Sequence, residues 1–290
     1  MTGLVHGRWS RRLGLVLVAA LALATLPGGL ATPRAVDAAL SRWDGSIDLY
    51  RAGVFTTQKT WRWCTAADVQ IIRNIVDGKR DHSRANQARY YRYMRAHNRY
   101  DVPAADGVDP AGWAAGLRHY VDSRYRIKAH RSFDAALRSA VTNLRRTNLP
   151  VGITVGRGSH AWVLVGFSAT ADPAVTDDFR VTSVRVVGSL WGLQSRSYGY
   201  DMRPNRKLTR KQFAGFFTPW HYAGIRMAWE GRWVSIQPIA SATESKPSAV
   251  ERAPSARPTP RPSPAPPRVL TPAVASAIAG LALRGVARTT

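Results

Sequence analysis

The spacing of apolar residues changes at Pro150, and this change limits the folds that the chain can adopt. Upstream, apolar side chains recur at intervals of three and four residues, the period of a helix that buries one face. Downstream, short apolar runs are separated by turn residues such as Gly156 and Gly158, which is typical of strands. A chain in which helices come first and strands follow predicts an α+β fold, with a helical lobe packed on an antiparallel sheet.

Four helices are predicted upstream of this point. The first begins at Cys64 and ends at Gly78, and apolar groups surround most of it, which predicts that it is buried. The second covers residues 83–97, although its tyrosines form no single stripe. Asp109 marks a third start, because aspartate caps a helix and the following proline suits the first position. Ser132 caps the fourth helix, at 133–146.

The downstream region is predicted to form most of the sheet. Strands are expected at 151–155, 161–167 and 179–187, separated by glycine-rich or proline-containing turns. A short helix at 211–217, with Thr209 as its cap, precedes a last strand at 232–236. We expect these strands to form one antiparallel sheet.

Composition divides the chain into four parts. Residues 1–38 have the layout of a secretory signal peptide, with basic residues, an apolar run and small side chains before a cleavage site after Ala38. The domain at 39–239 is therefore expected to be secreted or extracytoplasmic. Residues 240–268 form a proline-rich, disordered linker. The weakly apolar tail at 269–290 is shorter than the ~20 residues of a spanning helix, so an anchor, a surface helix and disorder all stay open.

The net charge is +24, and most of it belongs to residues 39–239. A basic surface attracts polyanions without specifying which. An anionic polymer of the cell envelope or a membrane surface is therefore a candidate partner, and nucleic acid is not expected to be the main one. The alternative is a compositional bias, because alanine, arginine, glycine and proline are all abundant while lysine is scarce.

Cys64 is the single cysteine of the chain, so no internal disulfide is available. Its thiol is a buried bystander, an intermolecular link or a reactive group. The start of a helix favours a thiolate, provided that a histidine stands close enough to share the proton. His160 is the best placed of the histidines, because it follows a glycine-rich turn and opens a predicted strand; the alternative is a turn histidine with a local hydrogen bond.

Gln58 supplies a third candidate group. It precedes Cys64 by a short stretch that can fold back, which would bring its side-chain amide beside the Cys64 backbone N–H. Two such donors can stabilise a developing oxyanion. A loop glutamine alone carries no such meaning, so this role depends on the other two residues.

Together, Gln58, the Trp63-Cys64 pair at a helix start and Gly158-Ser159-His160 at a strand start resemble papain-like cysteine peptidases. The more particular resemblance is to extracytoplasmic proteins similar to the bacteriocin-processing, double-glycine peptidase family, and it covers residues 50–222. It implies a cleft between a helical lobe and a sheet lobe, with Cys64 as nucleophile, His160 as proton carrier and Gln58 in the oxyanion hole. It also implies a peptide or protein substrate and no cofactor.

One departure from that family concerns the group that orients the histidine. The family places an Asp or Asn on the next strand, whereas residues 186–192 hold neither. Ser189, or Gln194 a little further on, is the candidate acceptor instead. Trp63 and Trp191 are expected to form the cleft wall. The sequence has no set of residues with metal-ligand spacing.

Two functional hypotheses follow. The first is an exported cysteine peptidase or amidase that cleaves amide bonds through a thioester. The second is a catalytically impaired homologue that binds peptides or polyanions at the envelope. They differ in the expected reactivity of Cys64.

Overall fold

The computed structural model describes residues 42–193 and 201–240, so the predicted signal peptide at 1–38, the predicted linker from residue 241 onward and the tail at 269–290 lie outside the described residues. The helices are α1 (Cys64–Asp77), α2 (Arg84–Ala96), α3 (Pro110–Tyr120), α4 (Phe133–Thr147) and α5 (Arg210–Ala214). The strands are β1 (Ser46–Asp48), β2 (Tyr125–His130), β3 (Val151–Val155), β4 (His160–Ala169), β5 (Val181–Gly188), β6 (Arg206–Thr209) and β7 (Trp233–Pro238).

The strands form one seven-stranded sheet with the order β2-β7-β3-β4-β5-β6, and β1 pairs with β4 beside this path. Every pairing is antiparallel. The first half of β4 pairs with β3, and its second half pairs with β1. The predicted α+β class with an antiparallel sheet is therefore confirmed.

The sheet is covered on both faces. Alternate residues of β4 point to opposite sides, since successive side chains of a strand do so. Trp162 and Leu164 join a core with α4 and α5, whereas Val163 and Val165 join a core with α1 and α3. The helix that begins with Cys64 thus packs against the strand that begins with His160.

The predicted helix ends are confirmed by their capping contacts. Ser83, Asp109, Ser132 and Thr209 each accept a hydrogen bond from a backbone N–H in the first turn of the helix that follows. Gly78 ends α1 with a left-handed backbone (φ 68°), which costs glycine little. These local signals fixed α1 to α4 to within two residues.

Three strands were not predicted, namely β1, β2 and β6. β2 lies between α3 and α4, so helices and strands are less cleanly separated along the chain than expected. Its sequence, YRIKAH, is polar and only partly buried, because it pairs at the edge of the sheet with β7 alone. α5 is also shorter than expected and ends at Ala214. None of the helices within 42–193 and 201–240 is long and apolar enough to cross a membrane.

Candidate active site

Cys64 is the first residue of α1, and its side chain is half-buried. Trp63 occupies the N-cap position but makes no side-chain capping hydrogen bond. The first backbone N–H groups of a helix have no partner within the helix. The thiol therefore lies at an N-terminus that no side chain caps, where negative charge is stabilised.

His160 is positioned by a tight turn that precedes β4. Gly156, Arg157 and Gly158 all have positive φ values (56°, 61° and 90°). The turn is tied to a later loop, since the Gly156 N–H donates to the carbonyl of Phe216 at 3.0 Å. The loop also places the Trp220 indole against Gly158, where an added Cβ would lie 2.4 Å from the ring. The imidazole is thus held at a rigid strand end.

The imidazole of His160 lies between two acidic groups. Its Nε2 is 3.2 Å from Oδ2 of Asp201, whose side chain is completely buried. The Cys64 side chain also acts on the ring, because it raises the pKa of His160 together with Asp201. The Asp201 carboxylate is itself held in place, because it accepts hydrogen bonds from the backbone N–H groups of Leu190 and Met202, both at 3.0 Å. These contacts form a Cys–His–Asp arrangement.

This arrangement controls the protonation of the imidazole. Burial alone lowers the pKa of His160, but the hydrogen bond to Asp201, the one to Cys64 and their negative charges outweigh it and raise the pKa to about 10. The protonated imidazolium, beside the Asp201 carboxylate, is therefore the favoured state of this side chain. The group can hold a proton at neutral pH and release it to a leaving group.

Gln58 is buried and connected to the same site. Its backbone N–H donates to the carbonyl of Ser189 at 2.8 Å, and its Oε1 accepts from the Ser189 hydroxyl at 3.1 Å. That hydroxyl also lies 3.5 Å from the carbonyl oxygen of Cys64. Nε2 of Gln58 donates one hydrogen to the carbonyl of Thr60 at 2.8 Å, and a primary amide has a second hydrogen to donate.

The two tryptophans predicted to form the cleft wall flank this cluster along the chain. Trp63 directly precedes the thiol, packs against Tyr91 with the ring centroids 5.7 Å apart and lies under the guanidinium of Arg84. The carbonyl of Trp191 accepts a hydrogen bond from Thr57 Oγ1 at 2.8 Å. Both rings are half-buried, and their role in substrate contact stays a prediction.

The structure gives His160 a different partner from the two that the sequence suggested. Ser189 contacts Gln58 instead of forming the imidazole contact, and Gln194 lies outside the described residues. The sequence prediction missed Asp201, because this residue lies beyond residues 186–192, where the family places its orienting group. Its sequence signal is that it is the first acidic residue after β5.

No group of three or more metal-ligating side chains occurs within residues 42–193 and 201–240. In comparisons with known proteins, no family model matches the chain, and neither a curated protein nor a solved structure does. A function for this protein is therefore inferred from the geometry of the site.

Proposed function

We propose that the protein is a papain-like cysteine hydrolase that cleaves amide bonds in peptides. The observation that carries the proposal is the imidazole of His160, which is held by Asp201 on one nitrogen and whose pKa the Cys64 side chain helps to raise. Support for the papain-like organisation comes from two packing facts. The helix that begins with Cys64 packs on β4, the strand that begins with His160, and the sheet is antiparallel.

In the proposed reaction, Sγ of Cys64 attacks the carbonyl carbon of the substrate as a thiolate. The carbonyl oxygen becomes an oxyanion, which the second N–H of Gln58 and the backbone N–H of Cys64 would stabilise. The imidazolium of His160 gives its proton to the leaving nitrogen, and the C–N bond breaks to leave a thioester. His160 then takes a proton from water, whose oxygen attacks the thioester and releases the acid and the thiol.

Asp201 keeps the imidazole in the orientation that this sequence of steps needs. A buried carboxylate on one ring nitrogen fixes the tautomer and stabilises the imidazolium, without itself being protonated. The alternative function, a catalytically impaired homologue that binds peptides or polyanions, rests on the lack of such a group. Asp201 removes that argument, so the hydrolase is the better supported of the two.

The test is covalent labelling of the purified protein with a peptide vinyl sulfone, from mildly acidic to mildly alkaline pH. We expect one adduct on Cys64, absent in Cys64→Ser and strongly slowed in His160→Ala. The matched control is His130→Ala, since His130 ends β2, three strands away in the same sheet. Equal labelling of His160→Ala and His130→Ala would contradict a working Cys–His pair and favour the binding module.

A further inference from the structure

A second carboxyl group lies beside the site and has no part in the reaction described above. Asp68 is one helical turn after Cys64 on α1, and it is completely buried. Neither of its oxygens has a hydrogen-bond partner among the described residues. A buried polar group without a partner destabilises the fold, and the cost is larger when the group is charged. Because this carboxyl group is nevertheless kept in the core, we expect it to be protonated, to have a function, or both.

The surroundings of Asp68 oppose a negative charge. Burial raises the pKa of its carboxyl well above the ordinary value, and the charges of Cys64 and Asp201 add to that effect. The charge of His160 and the Ser189 hydroxyl act in the opposite direction but do not cancel it. Such surroundings favour the protonated form of the carboxyl, which has one O–H to donate.

The Ser189 hydroxyl lies beside the turn of α1 that carries Asp68, since its oxygen is 3.5 Å from the carbonyl oxygen of Cys64, four residues before Asp68. Its hydrogen is already directed to Oε1 of Gln58, so its oxygen keeps lone pairs for an incoming donor. A hydrogen bond from Asp68 to Ser189 would complete a chain that ends at the Gln58 amide. Chains of this kind strengthen each bond by polarising the next.

We propose that Asp68 is a positioning residue that acts as a neutral acid, donating to Ser189 and thereby holding the Gln58 carboxamide toward the oxyanion. This inference rests on the proposed hydrolase function. An ionised Asp68 would act against the same site, because it would add negative charge beside the Cys64 thiolate and the Asp201 carboxylate. The neutral form leaves the thiolate–imidazolium pair undisturbed.

The test compares Asp68→Asn, Asp68→Leu and the surface control Asp77→Asn, which lies on the same helix in an exposed ion pair with Arg73. Asparagine keeps one donor and one acceptor but cannot ionise, whereas leucine has neither. We expect Asp68→Asn to rescue peptide hydrolysis. Asp68→Leu should lower kcat on the order of 10-fold. This is less than the ~10²–10³-fold loss that follows the removal of an oxyanion donor, because the Gln58 amide is still present. KM should change little, and thermal melts of all variants report folding.

A second readout does not depend on hydrolysis. Infrared spectra at neutral pH should contain the C=O band of one buried protonated carboxyl, absent from Asp68→Asn and present in Asp77→Asn. Spectra that show an ionised Asp68 would overturn the inference even if the enzyme is active. Full activity in Asp68→Leu, or a folded but inactive Asp68→Asn, would overturn it as well. If the wild-type protein neither labels nor hydrolyses, the proposed function fails, while the infrared band still decides the state of Asp68.

Discussion

The carboxylate of Asp201 occupies the space in which a side chain at position 188 would lie. An added Cβ at Gly188 would be only 1.7 Å from Oδ1 and 2.1 Å from Oδ2. Gly188 is the last residue of β5 and pairs with Trp162 of β4, so the sheet fixes its position. The absence of a side chain at Gly188 is what allows the carboxylate to reach His160.

Gly188→Ala should therefore separate the carboxylate from the imidazole. Contacts this short are not tolerated, and Asp201, which belongs to no helix or strand, can shift more easily than two paired strands. We expect a folded protein whose peptide hydrolysis falls on the order of 10²–10⁴-fold, as when a histidine loses its orienting group. The measurement is kcat/KM with a fluorogenic peptide, alongside circular dichroism.

The control for that substitution is Gly215→Ala, at the end of α5. Gly215 has a negative φ (−71°), and an added Cβ would lie at ordinary contact distance, 3.4 Å from the Gln212 carbonyl oxygen. This variant should keep wild-type activity. Wild-type activity in Gly188→Ala as well would argue against Asp201 as the orienting residue.

Asp201→Ala and Ser189→Ala should affect different steps. Removing the Asp201 carboxylate takes away a hydrogen bond and a charge that raise the pKa of His160, so that pKa should fall toward or below its ordinary value. Ser189→Ala removes a contact to Gln58, so it should reduce hydrolysis while leaving the pKa of His160 unchanged. NMR titration of the His160 ring in both variants checks this; the reverse pattern would restore Ser189 as the orienting group.

The helical part of the fold was predictable, because its signals are local. The ends of α2, α3 and α4 depend on one capping side chain each, and each cap lies directly before its helix. β2 was missed although YRIKAH alternates apolar and basic residues, a pattern that favours a strand, because the run is short and its partner, β7, lies more than a hundred residues later.

The residues of the candidate site likewise differ in how far the sequence reveals them. Cys64 and His160 stand at a helix start and a strand start, which the sequence reveals, and the structure brings them together. Asp201 belongs to no helix or strand, and its approach to His160 depends on the missing side chain of Gly188, a tertiary contact that the sequence does not reveal. Asp68 carries no sequence signal beyond its place on α1, because its burial is a tertiary property.

The stability of the protein should fall at alkaline pH through His160. The pKa of this group in the folded state is raised to about 10 by Asp201 and Cys64, against an ordinary value of 6.5. Its stabilising contribution is therefore complete below about pH 6.5 and is lost as the pH rises through about 10. Denaturant unfolding across this pH range should show that the free energy of unfolding of the wild-type protein declines, and that it declines less in His160→Gln. Equal declines in the two proteins would contradict the raised pKa of His160.

Asp109→Ala should destabilise the fold more than an ordinary cap substitution. The buried carboxylate accepts from the N–H groups of Gly112, Arg99 and Tyr100 at 2.8, 2.7 and 3.0 Å. The substitution removes one cap and leaves two further N–H groups without a partner, so we expect the free energy of unfolding to fall by about 2–4 kcal/mol. Ser132→Ala is the control, because this exposed cap serves the Ala135 N–H alone, at 3.2 Å, and its loss should cost about 1 kcal/mol. Equal decreases in the free energy of unfolding of Asp109→Ala and Ser132→Ala, measured by urea unfolding, would contradict this prediction.

Gln58→Ala should separate hydrolysis from simple alkylation of the thiol. Attack on a peptide carbonyl creates an oxyanion that needs the Gln58 amide, whereas displacement of iodide from iodoacetamide creates none. We therefore expect kcat to fall by about 10²–10³-fold, the usual loss for one oxyanion donor, while Cys64 alkylates at nearly the wild-type rate. The two rates are measured on the same preparation, so misfolding would be visible as a change in both. A parallel loss would mean that Gln58 supports the Cys64–His160 pair through Ser189 and does not bind the oxyanion.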